Sequence, residues 1–331
     1  MKKKIFCFLL CAGLVFGLCS CEFFDKLYEN HLNTQNGKSS SSEESSVPEP
    51  VEIDTGWPVS VAGTEISSKP ERVAAVSPAL AEYIYDMGLF DNLCAVGEFC
   101  AFSEKAAALP NIGSAALPDF DEIKAAEPQY ILTNTKYDEA SLIKLQQMNI
   151  TVLYFEAPQS FDGLCELYKE LALFFLGAEE GPAFGEAYAE KYNSALAEVS
   201  YSGEKASAAF IRGMDNIMIT GDSLCGELLS RCFVNAAGDA TGFEYPLDAF
   251  SDLKPDIIFV SGMVRLKDLE GSDLYSKKAA VKNDRVYLAD LDAVGICSLR
   301  SFSIVKDMMT TAYDDYSGGD KLEVAYPSMY K

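Results

Sequence analysis

The stretch RVAAVSPALAEYIYDMGLFDNLCAVGEFC, Arg72–Cys100, decides the fold class. RVAAVS is a short apolar run, the composition of a strand buried on both faces. Ser77 offers a hydroxyl N-cap and Pro78 a proline at the first helical position, so PALAEYIYDMG forms a helix that Gly88 stops. LCAVGEFC is the next strand. Strand, helix and strand in so short a span make a crossover unit, because parallel strands cannot be joined by a tight hairpin.

The pattern continues on both sides. Upstream, TGWPVSVAGTEISSKPE reads as a short β-hairpin broken at Gly63 and closed by Pro70. Downstream, LPNIG leads to a turn, and Asp119 with Glu122 after Pro118 forms a capping pattern that opens DEIKAAE. QYILTN is a strand, DEASLIKLQQMN a helix, and TVLYFEAP ends this half. From about Ser160 to Leu196, SFDGLCELYKELALFFLGAEEGPAFGEAYAEKYNSAL repeats apolar residues at helical spacing, with Gly177 and Gly181-Pro182 as breaks or kinks.

Then the alternation restarts. KASAAFIRG and NIMITG read as strands, and SLCGELLSRCFVNAAG as a helix with a glycine stop. LDAFSDLKPDIIFVSG reads as helix then strand, RVYLAD as a strand, and SLRSFSIVKDMMTTAYDDY as a closing helix. The expected fold is α/β: two lobes, each a mainly parallel sheet flanked by helices, joined by one long backbone helix. The expected boundaries are 51–159 for the N-terminal lobe, 160–200 for the linking helix and 201–331 for the C-terminal lobe. A cleft between such lobes is the natural binding site.

The start of the chain carries a different signal. MKKKIFCFLLCAGLVFGLCSCEFF places Lys2, Lys3 and Lys4 before an apolar run, the form of an export signal over residues 1–20. The ending Leu18-Cys19-Ser20-Cys21 resembles the bacterial lipobox, which implies that Cys21 becomes the lipidated first residue. No later stretch approaches the ~20 apolar residues of a membrane helix. Residues 21–50, with NTQNGKSSSSEESSVPEP, lack core formers and read as a flexible tether. The expected location is extracytoplasmic, held to the membrane by lipid.

Composition narrows the chemistry. The formal charge of −23 and the absence of a basic stripe exclude a nucleic-acid partner. The one histidine, His31, falls in the tether, which leaves the body without a Ser-His or Cys-His couple and without a histidine-rich metal site. Cys94, Cys100, Cys165, Cys225, Cys232 and Cys297 either pair as disulfides in an oxidising compartment or serve as small buried hydrophobes, and their pairing is not legible. No catalytic residue, intrinsic cofactor or metal is expected, and the protein reads as a monomer.

KPERVAAVSPALAEYIYDMGLFDNLCAVGEFC, LPNIGSAALPDFDEIKAAEPQYILTN, SLCGELLSRCFVNAAG, LDAFSDLKPDIIFVSG and NDRVYLADLD follow one another in order around the long helical segment. In this the chain resembles the bacterial ABC-importer binding proteins that carry iron–siderophores, haem and cobalamin, over roughly Val51 to Tyr316. The resemblance implies a lipoprotein that delivers a ferric siderophore, haem or corrinoid to an ABC permease, with the siderophore slightly favoured. It also implies permease docking by one surface glutamate per lobe, matched here by Glu82 in SPALAEYIY and Glu227 in SLCGELL. Two well-separated charges of this kind orient a partner without a large contact area.

Loops at the cleft-facing strand ends supply the expected ligand-binding residues: Ser77, Pro78, Phe99, Cys100 and Tyr137 from the first lobe, and Asp222, Ser223, Met263, Arg265 and Arg300 from the second. Aromatic faces suit a macrocycle, and arginines suit an anionic group. With six arginines in all, the chain is poorly equipped for a polyanionic chelate, whereas a mainly neutral corrinoid is not repelled. GEFC also resembles a Glu-Tyr-Cys segment of cobalamin-type members. A ligand-free adaptor or sensor on the same fold, or a two-lobed enzyme using paired carboxylates, are the alternatives.

Overall fold

Two four-stranded parallel sheets, separate in the chain, carry the fold of this computed structural model, which describes residues 56–325 apart from 215 and 263. The expected export signal, Cys21, the whole of the expected tether and Met263 lie outside the described residues.

A two-stranded antiparallel hairpin, β1 (Val59–Val61) and β2 (Thr64–Ile66), opens the described chain, as the Gly63 turn predicts. The first sheet then forms from β3 (Val73–Ala75), β4 (Leu93–Val96), β5 (Tyr130–Thr133) and β6 (Thr151–Tyr154), in the order β4-β3-β5-β6. Between them run α1 (Pro78–Asp86), α2 (Glu104–Ala107), α3 (Phe120–Ala126) and α4 (Glu139–Gln147). The caps are those the sequence predicts: Ser77 accepts from the Leu80 amide, and Asp119 from the amides of Asp121 and Glu122. Ala74, Ala95 and Ile131 on the strands pack with Ile123 and Leu145 on the helices, so the sheet face is covered by apolar side chains.

The helical segment α5 (Phe161–Glu198) links the halves, and it is not straight. Gly177 sits at φ 73°, in the left-handed region that glycine tolerates. Beyond it the chain doubles back. Cys165 Sγ lies 3.6 Å from Asn193 Oδ1 although 28 residues separate them, a span of about 42 Å in an unbroken helix. The Tyr168 ring packs in tilted contact with Tyr188 at 4.7 Å and Tyr192 at 5.4 Å, and Lys169 pairs with Glu186 at 2.7 Å. The stretches 161–176 and 178–198 therefore lie antiparallel. Their backbones meet closely at Gly181 and Gly185, where an added Cβ comes within 2.7 Å of Leu173 Cα and 2.8 Å of Lys169 Cα. The opening hairpin seals the turn: the Ala178 amide donates to Gly56 O at 2.7 Å, and the Trp57 ring fills the space above Gly177.

The second sheet, ordered β10-β9-β7-β8, comprises β7 (Ser207–Ile211), β8 (Val234–Asn235), β9 (Ile257–Val260) and β10 (Val286–Leu288). Its helices are α6 (Leu224–Ser230), α7 (Leu266–Glu270), α8 (Ala279–Lys282), α9 (Leu291–Ile296) and α10 (Leu299–Ala312). Ala209, Ile258, Leu269, Val281 and Val286 form the core of this half.

Three local readings change. NIMITG is not a strand; it makes only isolated bridges, because β8 and β9 already occupy both edges of β7. SLCGELLSRCFVNAAG divides into α6 and β8, and the helical part of LDAFS shrinks to one 3-10 turn at Phe250–Asp252. The short helix α9, capped by Asp290 on the Ala293 amide, was not anticipated.

Candidate functional site

The sheet-end loops and helix N-termini of the two lobes meet along α1 and the α9–α10 turn. A cleft of about 680 Å³ opens beside this contact, lined from the first lobe by Pro78, Glu82, Phe99, Ala101 and Phe102. The second lobe contributes Arg212, Asp290, Asp292, Ala293, Ile296 and Arg300. A smaller hollow of about 150 Å³ lies against Ala79, Tyr83, Asn134, Glu156, Leu224 and Gly295, and Ile296 lines it too. Ile296 thus stands between the two spaces. A larger open depression, about 800 Å³, is an acidic notch of the first lobe alone, with Glu98, Asp119, Asp121 and Glu122 on its wall. The two hollows around Ile296 draw walls from both lobes.

Phe99 is the most unusual member of the wall. It is 84% exposed and sits at φ 65°, a left-handed conformation that costs a side-chain-bearing residue on the order of 1 kcal/mol or more. The opposite wall carries charge already matched. Arg212 holds Asp292 at 2.6 Å and lies over the Phe243 ring at 5.6 Å. Arg300 binds Glu82 through Nη2 at 2.8 Å and Nε at 3.1 Å, and Asp290 through Nη1 at 3.0 Å. Three carboxylates therefore face two guanidiniums, and neither arginine is left without a carboxylate partner.

The sequence-derived residues divide sharply. Pro78, Phe99 and Arg300 line the cleft, as does Glu82. Ser77 is buried and spends its hydroxyl on the α1 cap, while Ser223 caps α6. Cys100, next to Phe99 in the chain, is buried, and desolvation pushes its thiol up to about 12. Tyr137 belongs to the first-lobe core, where burial raises its hydroxyl to about 12 and leaves that oxygen without a hydrogen-bond partner. Asp222 is exposed but tied to the Thr220 hydroxyl and the Gly242 amide, which hold its carboxyl below the usual range. Arg265 turns to Asp268 on its own helix. All six cysteines of the described residues are free thiols.

The docking pair also divides. Glu227 is exposed on α6. Glu82 does not protrude as expected: it is 1% exposed, because the guanidinium of Arg300 and the hydroxyl of Ser298 reach it from the other lobe. One turn on, Asp86 accepts the Leu299 amide at 3.0 Å, and burial raises its carboxyl to about 7. Tyr83 Oη donates to Ile296 O at 2.6 Å, and Tyr192 Oη to Cys297 O at 2.7 Å. Residues 296–300 are thus gripped from two sides.

Sequence reasoning missed Arg212, Asp290 and Asp292. Arg212 follows β7 directly, so the sheet-end rule that selected Phe99 also points to it. The two aspartates flank Leu291 at the start of α9, a helix with no strong sequence pattern.

Two parallel-sheet lobes about an α-helical linker, with a two-walled cleft at the sheet ends, have clear counterparts. The family model described as "Periplasmic binding protein" matches residues 73–293. The chain belongs to the periplasmic binding protein family. Among its relatives, the uncharacterized ABC transporter substrate-binding lipoprotein YvrC of Bacillus subtilis is 26% identical over 95% of this chain and 99% of its own length. In structure, this binding protein resembles the vitamin B12 binding protein BtuF of Vibrio cholerae, with a TM-score of 0.56, 20% identity, and coverage of 73% of this chain and 96% of that one. A periplasmic heme binding protein of Pseudomonas aeruginosa superimposes with a TM-score of 0.64 at 15% identity, covering 75% and 94%.

Proposed function

We propose that this chain is the extracytoplasmic substrate-binding component of an ABC importer, and that its cargo is a bulky, largely uncharged metal chelate of the corrinoid class. The observation that carries the choice of cargo is the prior pairing of Arg212 and Arg300 with Asp292, Glu82 and Asp290. A chelate bearing several carboxylates, such as haem or an anionic ferric siderophore, must break those pairs and then face the carboxylates left behind. An amide-bearing neutral macrocycle lies on Phe99 and hydrogen-bonds to the paired groups without that cost. The vitamin B12 binder and the haem binder among the structural neighbours share the fold and do not separate the two cargoes.

Thermal-shift measurement with cyanocobalamin, haemin and a ferric tricarboxylate siderophore tests this. A ligand at about a hundred times its Kd stabilises the folded state by about 2.7 kcal/mol. Cyanocobalamin is expected to raise the melting temperature and the other two to leave it unchanged. A shift with haemin alone overturns the corrinoid choice. No shift with any of them, in a chain that still binds a permease, favours the adaptor reading.

Lipid attachment at Cys21 and docking through Glu82 and Glu227 belong to the same proposal. Replacing Cys21 by alanine releases the protein from the membrane fraction if the anchor reading holds. Charge reversal at the exposed Glu227 lowers import and spares ligand affinity; unchanged import ends the docking assignment. The enzyme alternative needs facing carboxylates free for proton transfer, but Glu82 and Asp86 are engaged by Arg300, Ser298 and the Leu299 amide.

A further inference from the structure

Every polar group on one face of α1 is engaged by the opposite lobe. Tyr83, Glu82 and Asp86 all lie on that face, and they meet Ile296 O, the Ser298 hydroxyl, the Leu299 amide and the Arg300 guanidinium in turn. The Leu299 amide is one of the orphan donors at the start of the 14-residue helix α10, and Asp86 satisfies it from across the lobe boundary. This contact differs from a core. Its partners are charged and directional, and Arg300 keeps 35% of its side chain in solvent at the cleft wall, so water or a bound ligand can compete for it.

We infer that the α1–α10 junction is a clasp between the lobes that withholds Glu82 from solvent, so that a partner at the membrane reaches this carboxylate only when the clasp is open. The consequence for the partner rests on the docking role proposed above; the clasp itself does not. Glu227 has no such cover. The molecule therefore presents one docking carboxylate at all times and a second one conditionally. Because Arg300 belongs both to the clasp and to the cleft wall, occupancy of the cleft and exposure of Glu82 are coupled through a single side chain.

Carbodiimide-driven carboxyl footprinting with mass spectrometry tests the clasp in the isolated protein, with Glu227 as the internal reference. Glu82 is expected to label at least about tenfold more slowly than Glu227 in the parent, as a group protected by a closed state does. In Arg300→Gln, checked for folding by circular dichroism, Glu82 should approach the Glu227 rate. Equal rates in the parent, or continued protection of Glu82 in a folded Arg300→Gln, overturn the inference. If Arg300→Gln does not fold, Glu82→Gln/Arg300→Met removes both charges at similar volume. Spin labels at Glu139→Cys and Glu270→Cys, exposed positions on opposite lobes, then report the lobe separation. A broader or longer distance distribution than the parent's supports the clasp, and an identical one overturns it. The docking role fails separately: charge reversal of the exposed Glu227 alone, without loss of import, removes it while leaving the footprint untouched.

Discussion

Glu82 and Glu227 occupy corresponding places in two lobes of the same design and have opposite fates. Each follows a serine N-cap within a turn or so on the first helix of its half, Ser77 before α1 and Ser223 before α6. Glu227 is exposed, whereas Glu82 is 1% exposed and held by a guanidinium from the other lobe. The two lie five and four residues past their caps, about 100° apart around a helix, and each helix meets a different surface. Where α1 faces the α9–α10 turn, its carboxylates become internal ion-pair and capping groups. Helix position is a local property and exposure is not.

The largest expected break in the comparison is Arg300→Met, which leaves Glu82 charged and uncovered in a buried site. Losing one partner of a buried pair costs 3–5 kcal/mol, and the one-third exposure of Arg300 reduces this to about 3 kcal/mol. Urea unfolding should show that loss, against a change within about 0.5 kcal/mol for Glu227→Gln. Gly177→Ala comes next. It forces a Cβ into φ 73° and to 2.6 Å from Gly56 O, so a loss of about 2 kcal/mol or more is expected by the same measurement. Ser77→Ala and Ser223→Ala remove the two equivalent caps and should each cost about 1 kcal/mol, a matched pair that sets the local baseline for the two helices.

The last effect is in pH. Asp86 is raised from 3.8 to about 7, chiefly by burial, with Glu82 reinforcing the rise, while the Leu299 amide, Lys191 and Arg300 oppose it. Tyr83, Tyr168 and Tyr188 feel the charge of Asp86 in turn. The folded state holds this proton more tightly than the unfolded chain does. The stabilisation it gives is therefore complete below about pH 4 and is lost as pH rises through about 7. In Asp86→Asn the decline in melting temperature between pH 5 and 7.5 should be shallower than in the parent; an equal slope assigns the decline to another group.

Much of the fold was legible because its signals are local. Ser77-Pro78, Asp119 and Gly88 mark helix ends whatever surrounds them, and short apolar runs with crossover helices leave few topologies. The errors fall where a neighbour decides. NIMITG has strand composition and no free sheet edge, and a helical period across Gly177 cannot reveal that the second stretch lies back along the first. The site was less legible for the same reason. Phe99 and Arg300 were accessible to a loop-at-strand-end rule, but the pairing of Arg300 with Glu82 joins residues 218 apart in the chain. Ser77, Cys100 and Tyr137 had suitable chemistry for a ligand and were taken by the cap and the core instead.

Gly56 has a mechanical consequence. Its carbonyl is bonded to the Ala178 amide at the bend of the linker, and the Trp57 ring beside it rests over Gly177. Tension on the chain from the N-terminal side is therefore delivered to the bend, and neither parallel sheet bears it directly.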